Sequence, residues 1–355
     1  MSLRSTAETV DYFGKDIGKK EALKLFEMDI HDVGRIADEI RRQKCGDLVT
    51  FVIDTNINYT NVCVSKCRFC AFYARNGGYV LPYEEILKRI GEAANIGATQ
   101  IMLQGGLNPE LGIEWFEVLF RKIKERYPGV HIHSLSPPEI VFLAKTEKMS
   151  EREVLERLKS AGLDSLPGGG AEILVDEVRR RISPNKCSSE EWLRVMETAH
   201  KMGIPTTATM MFGHVESNKD ILDHLLKLRE LQKKTGGFTA FIPWTFQPGN
   251  TDLYCEIKRP VSPLRYLQVL AISRIVLHNF RNIQASWLTQ GFDIATLSLF
   301  FGANDFGGTM LEENVVKATG KAFRPARVDE IVKAVKAVGR PVALRDTYYK
   351  ILEWF

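Results

Sequence analysis

The sequence predicts an α/β fold in which eight parallel strands close into a (β/α)8 barrel. Three observations predict it. From about residue 50, apolar β-rich segments alternate with amphipathic helical ones. There are eight such β-rich segments, each followed by a helix or a long loop. The text just past most of them is polar and glycine-rich, as expected at the barrel face where active sites are built. A chain of 355 residues is long for one domain, but α/β barrels reach such lengths and bury a large core.

The elements follow in order. Residues 1–48 read as a helical extension, 49–320 as the barrel, and 321–355 as a helical cover. Strands are expected at 51–58, 100–105, 130–135, 164–166, 206–212, 239–246, 283–289 and, on a weaker pattern, 305–310. That weak eighth segment leaves open a six-stranded or open barrel with a C-terminal extension. "PYEEILKRIGEAANIG" is helical, with Ile86, Ile90 and the Ala93–Ala94 pair at three- and four-residue spacing. "SSEEWLRVMETAHKMG" is helical too: Ser188 or Ser189 caps it, acidic residues fill its first turn and Gly203 ends it. The tail "TYYKILEWF" reads as a helix over the barrel.

The strands should end at "LQGGLNP", "HSLSPPE", "LPGGGAE", "FGHVE", "WTFQPGN" and "LTQGFD", so one rim gathers polar groups from almost every strand. Composition narrows the function. A net charge of +4 is small for this size and argues against a nucleic-acid or membrane surface. The opening "MSLRSTAETVDYF" lacks the apolar core of a secretion signal. The longest uncharged run, 235–251, holds two prolines and falls short of the roughly 20 apolar residues of a membrane span. These features point to the cytoplasm, where clustered cysteines are metal ligands or redox groups more often than disulfides.

Three of the six cysteines, Cys63, Cys67 and Cys70, lie within "NVCVSKCRFCAF" at Cys-x3-Cys-x2-Cys spacing. They sit just past the first strand, on the functional rim. Three thiolates on one loop suit a soft metal centre. Structural zinc prefers four ligands in two pairs. A conventional iron–sulfur cluster takes four cysteines at other spacings. Three ligands on a cubane leave one iron open to bind something reactive. Cys45, Cys187 and Cys255 are isolated and read as packing or surface residues.

This spacing, with Phe69 before the last cysteine, resembles the signature of the radical S-adenosylmethionine (SAM) superfamily. The resemblance implies a TIM-type barrel, a [4Fe-4S] cluster held by Cys63, Cys67 and Cys70, and SAM chelated to the open iron. One electron, from an external donor such as flavodoxin or ferredoxin, then cleaves SAM to methionine and a 5′-deoxyadenosyl radical. Longer stretches narrow the likeness: "INYTNVCVSKC", "SLPGGGAEILVDEVRRRISPNK", "FIPWTFQPGNT", "ASWLTQG" and "FGANDFGGTMLEENVV". Over roughly residues 45–320 the chain is similar to the family of cyclases that act on dehypoxanthine futalosine in menaquinone biosynthesis. Aminofutalosine synthase and the FO synthase subunits are close relatives. The implied reaction takes hydrogen from ribose C4′, adds the carbon radical to the benzoate ring, and releases one electron and one proton.

The resemblance also suggests cofactor contacts. Gln104, Gly105 and Gly106 follow strand two, where the superfamily sets a glycine motif against the methionine amino group. Ser134, Gly169 and Glu172 follow strands three and four; Glu172 could hold a ribose hydroxyl or substrate. Asp293, in "WLTQGFD", is the leading candidate for the base that takes the final proton, with Glu172 and His214 as rivals. The plainer reading of Asp293 is a helix cap. His131 and His133 share one strand face; an H-x-H pair can begin a metal-hydrolase site, but polar barrel filling and a substrate contact are the simpler readings. Trp244, Gln247, Trp287 and Gln290 suit an aromatic, ribose-bearing ligand, and the Arg179–Arg181 run reads as a solvated helix end.

Overall fold

A computed structural model describes Tyr12 and residues 14–355. The expectation for the first 11 residues and residue 13 lies outside the described residues. Helices Lys19–Lys24 and Ile30–Cys45 form the N-terminal extension; the second is capped by the Asp29 carboxylate, which accepts from His31 N, and it packs on the helix Pro263–Val276.

The strands are β1 (Val49–Val52), β2 (Asp54–Ile57), β3 (Gln100–Leu103), β4 (His131–Ser134), β5 (Thr206–Phe212), β6 (Phe238–Thr245), β7 (Asn282–Ile283), β8 (Asp305–Gly308), β9 (Val342–Arg345) and β10 (Ile351–Trp354). β1 and β2 are one barrel strand interrupted at Ile53. β2, β3 and β4 pair in parallel, and so do β5, β6 and β7. The bridges His133↔Ser165 and Leu166↔Thr206 join β4 to β5, Gln284↔Asp305 joins the β7 end to β8, and β8 pairs with β1. The ring is therefore closed, and all its pairings are parallel. Its fourth member is only the pair of bridges at Ser165 and Leu166, and its seventh is two residues long; both are shorter than their sequence patterns. The residues after β7 turn instead into the short helix Trp287–Gln290.

The outer helices begin where the sequence marks them. Ser150, Ser188 and Ser217 each accept from the backbone three residues on, while Glu153, Glu191 and Asp220 reach back to the cap. Their apolar stripes, such as Val154, Leu155 and Leu158 or Trp192, Val195 and Met196, are buried against the barrel.

The C-terminal cover differs from expectation. Helix Val328–Ala337 is present, but the tail is strand, not helix. β9 pairs in parallel with β1, Val49 opposite Val342, and β10 runs back along β9. Ile351 and Trp354 favour the extended state, and a free edge of β9 was there to accept them. The segment between the two strands enters the barrel from its N-terminal end. There Arg345 Nε donates to Asp305 Oδ2 at 2.6 Å, and Thr50 Oγ1 donates to the same oxygen at 2.5 Å. The expected cover is thus a floor. Among the described residues, no helix is long and apolar enough to cross a membrane.

Candidate active site

The loop after β2 carries Cys63, Cys67 and Cys70, all as free thiols; Cys67 is buried and the other two are half-buried. Leu107 N donates to Cys63 Sγ at 3.3 Å, and Ser65 Oγ lies 3.1 Å from Cys67 Sγ. Burial pushes the Cys67 thiol up to about 11 and raises Cys70, against the pull of nearby Lys186. Such thiols ionise when a metal cation supplies the compensating charge. Among the described residues no group of His, Cys, Asp or Glu is set to hold a single metal ion. A cubane makes no such demand, because each cysteine binds a different iron.

The loop after β3 presses against this one. A Cβ on Gly106 would lie 2.1 Å from Val62 O and 2.7 Å from Cys63 Cβ, so only glycine permits the approach. Gly105 N donates to Glu139 Oε1 at 3.3 Å, which also accepts from Tyr59 Oη at 2.5 Å. Burial raises Glu139 to about 7 in spite of these bonds. The glycine turn after the fourth barrel position stands on the same rim: a Cβ on Gly169 would lie 2.8 Å from Gln104 Nε2. Phe69, Gln104, Gly105, Gly106 and Gly169 are therefore gathered around one mouth.

Glu172 adopts a left-handed backbone (φ 41°), a costly conformation for a non-glycine residue. Its Oε1 accepts from Lys186 Nζ at 2.8 Å, and Lys186 stands 5.1 Å above the Phe69 ring. Burial opposes the charge on Lys186, but Cys67 and Glu172 outweigh it and keep the ammonium protonated. The sequence reading missed Lys186; its only signal was its place at the end of "RRRISPNK". The other Glu172 oxygen, 3.7 Å from Arg179 Nη1, and the Asn58 side-chain oxygen are buried without a hydrogen-bond partner. Buried acceptors with unused hydrogen-bonding capacity on a rim of thiols and bare backbone fit a cofactor that brings amino and hydroxyl donors, as SAM does.

Below the rim the barrel encloses a cavity of about 260 Å³. Trp244, Trp287, Ile242 and Met102 line it with Gln104, Asn56 and Thr289; Asp54, Arg345 and Tyr349 lie at its base. Burial raises Asp54 to about 6, although Met310 N donates to it.

Several predicted residues are not at this cavity. Asp293 is exposed in the first turn of the helix Phe292–Ser298, whose N-cap is Gly291, and its side chain makes no cap bond. The early turn to helix after β7 carries it outward, so neither the base nor the cap reading of Asp293 has a geometric footing. His214 is closed into its own turn: Nε2 meets Met211 O at 3.0 Å and Nδ1 accepts from Val215 N at 2.8 Å. Ser134 is fully buried and its hydroxyl staples β4 to Leu103 O at 2.9 Å. Gln290 Nε2 donates to Thr245 Oγ1 at 2.6 Å, and Gln247 Nε2 to the same hydroxyl at 3.1 Å. Arg179 is not a solvated helix end: it is buried and its guanidinium binds Gly170 O, Ala171 O and Cys187 O, which pins the glycine turn.

Comparison with known proteins places this arrangement. Residues 57–228 match the radical SAM superfamily and residues 235–355 the CofH/MqnC C-terminal region. The chain is 44% identical to the cyclic dehypoxanthine futalosine synthase of Halalkalibacterium halodurans, covering 96% of this chain and 93% of the relative. It is also 43% identical to a 5-amino-6-(D-ribitylamino)uracil–L-tyrosine 4-hydroxyphenyl transferase of Methanococcus maripaludis, over 96% and 98% of the two chains. In fold it is similar to methylornithine synthase, with a TM-score of 0.74 at 20% identity over 92% of this chain and 94% of the other. The chain belongs to the radical SAM superfamily, whose enzymes work with a [4Fe-4S] cluster and S-adenosylmethionine.

Proposed function

We propose that this radical SAM enzyme cyclises dehypoxanthine futalosine to its cyclic product, a carbon–carbon bond-forming step of the futalosine route to menaquinone, in the cytoplasm. One observation carries the reading: a cavity floored by the C-terminal hairpin opens toward the cysteine rim, and aromatic and amide side chains line it. Trp244 and Trp287 suit an aromatic ring, and Gln104, Asn56 and Thr289 suit a ribose. The 44% identity to a futalosine synthase over 96% of the chain supports the substrate class.

In this reading Cys63, Cys67 and Cys70 hold the cluster, and an external one-electron donor reduces it. Gln104, Gly105, Gly106, Gly169, Phe69 and Glu172 seat SAM. When bound, the cluster and SAM would supply a 5′-deoxyadenosyl radical for hydrogen abstraction from the ribose. The chain's own work is to orient and to exclude. Lys186, charged beside Cys67, compensates negative charge at the rim. Trp287, held by its Nε1–H bond of 2.9 Å to Gly308 O, presents a fixed face to the substrate ring. The hairpin floor keeps water from the base of the cavity. A proton must leave the cyclised ring, and neither Asp293 nor His214 reaches the cavity to take it.

A second reading rests on the 43% identity to the tyrosine hydroxyphenyl transferase. An anaerobic assay separates the two. With reduced cluster and SAM, the enzyme should convert dehypoxanthine futalosine to a cyclic product, with 5′-deoxyadenosine formed alongside. Product from 5-amino-6-(D-ribitylamino)uracil and tyrosine, and none from dehypoxanthine futalosine, overturns the proposal.

A further inference from the structure

Ser165 Oγ lies 2.6 Å from His133 Nδ1 and 2.6 Å from His131 Nε2. The three residues form one chain inside the barrel wall. His133 is 4% exposed and lines the cavity; Ser165 is 2% exposed. His131 is half-buried and sits edge-on to Tyr348, itself 56% exposed, with ring centroids 4.9 Å apart. The chain thus begins at the cavity and ends beside solvent at the opposite side of the floor from the cluster loop.

A hydroxyl has one proton. It can donate to one imidazole nitrogen only while it accepts from the other. Two arrangements satisfy all three residues. In the first, His133 Nδ1–H donates to Ser165 Oγ, Ser165 O–H donates to His131 Nε2, and His133 Nε2 is a free acceptor. In the second, every bond is reversed, His133 Nε2 carries a proton and His131 Nδ1 has lost one. They differ by one proton taken up at the cavity end and one released at the outer end.

We infer that His133, Ser165 and His131 are a proton relay that carries a proton from the closed catalytic cavity to solvent. The use assigned to it, removal of the ring proton after cyclisation, rests on the function proposed above; the relay geometry does not. His133 is the catalytic residue, since it alone lines the cavity; Ser165 and His131 act through it. Burial lowers His133 to about 3 and His131 to about 4, so neither ring traps the proton as a stable imidazolium. Arg345 also disfavours charge on His133, and Lys124 on His131, while Asp164 and Asp346 favour a proton at the outer end.

The whole cluster-loaded protein tests this in two ways. Nitrogen-15 NMR of its histidines should show His131 and His133 as the same neutral tautomer, both Nδ1–H or both Nε2–H. Opposite tautomers mean a hydroxyl that blocks transfer, and overturn the relay whatever the substrate. The second test counts cyclic product per 5′-deoxyadenosine in Ser165→Ala and Ser165→Thr. The Ala variant should lose about tenfold in this ratio, less than the ~100-fold minimum typical of losing a general base. Thr should restore it and its solvent deuterium isotope effect. Parental coupling in Ser165→Ala overturns the relay. Correct tautomers with no product from dehypoxanthine futalosine, even in the parent, would instead reject the substrate assignment.

Discussion

At the C-terminal rim, Gly106 comes so close to the cysteine loop that a single methyl would sit 2.1 Å from Val62 O. At the floor, Arg345 crosses from the C-terminal hairpin to Asp305, where both side chains are within 6% of full burial. The rim is made by leaving atoms out, and two of its buried acceptors, Glu172 Oε2 and Asn58 Oδ1, have no hydrogen-bond partner. The floor is made by filling space around the Arg345–Asp305 pair, although Thr347 Oγ1 is buried there without a hydrogen-bond partner. One end of the barrel is therefore shaped by close backbone approach, while the other is packed around a buried ion pair. Damage at the rim should appear in chemistry, and damage at the floor in stability.

The sharpest test at the rim is Cys67→Ala. It should remove the brown cluster absorbance and reduce SAM cleavage to background, with the fold retained by circular dichroism. Full cleavage in this variant would dissolve the distinction between the two ends.

At the floor, Arg345→Met leaves Asp305 buried without its ion pair. Denaturant unfolding should show a loss of about 3–5 kcal/mol. The double variant Asp305→Leu/Arg345→Met should lose less than the single one, because no lone charge remains. Equal losses would mean that the pair does not stabilise the floor.

Asp54 gives the floor a pH dependence. Its carboxyl is raised from 3.8 to about 6 by burial. The folded state thus holds the proton more tightly than the unfolded one. The stabilisation is full below about pH 4 and is lost as pH rises through about 6. Asp54→Asn should flatten that fall and gain stability at pH 7, on the order of 3 kcal/mol from a shift near two units. An unchanged slope of stability against pH between 4 and 6 would count against this assignment.

The smallest effects separate two glycines. Gly106→Ala should cost about 1–3 kcal/mol of overpacking and lower the cluster content of the purified protein. Gly129→Ala, where an added Cβ meets nothing within 4 Å, should change stability by less than about 0.5 kcal/mol. A rim that tolerates both equally is not built on close approach.

The rim was legible in the sequence because its signals are local. Cysteine spacing, glycine pairs and capping serines are each carried by a few neighbouring residues. The barrel was legible because its alternation of strand and helix is periodic. What the sequence hid depends on partners far along the chain. His131 and His133 announced a shared face, but the hydroxyl that joins them is Ser165, 34 residues from His131. Asp293 was misplaced because β7 stops after Ile283, and no local pattern marks where a strand gives way to a helix. Arg179 looked like one of three solvated arginines; only the fold brings Gly170 O and Cys187 O within its reach. The tail was misread as a helix although its Ile and Trp residues favour extension; its partner β9 lies only a few residues upstream, but β9 is itself held by the distant β1.

The pairing of β1 with β9 joins Val49 to Val342, and so spans almost the whole chain. Closing so long a loop carries an entropic cost that the local helices do not bear, and topologies of this kind fold slowly. During synthesis the β1 strand emerges long before β9 and waits for it. Until then the floor is open, Asp305 lacks Arg345, and the cysteine loop sits on a ring that has not been locked. Insertion of the cluster into a finished site therefore has to wait for β9, and nascent chains halted before residue 342 should be poor acceptors of iron and sulfide.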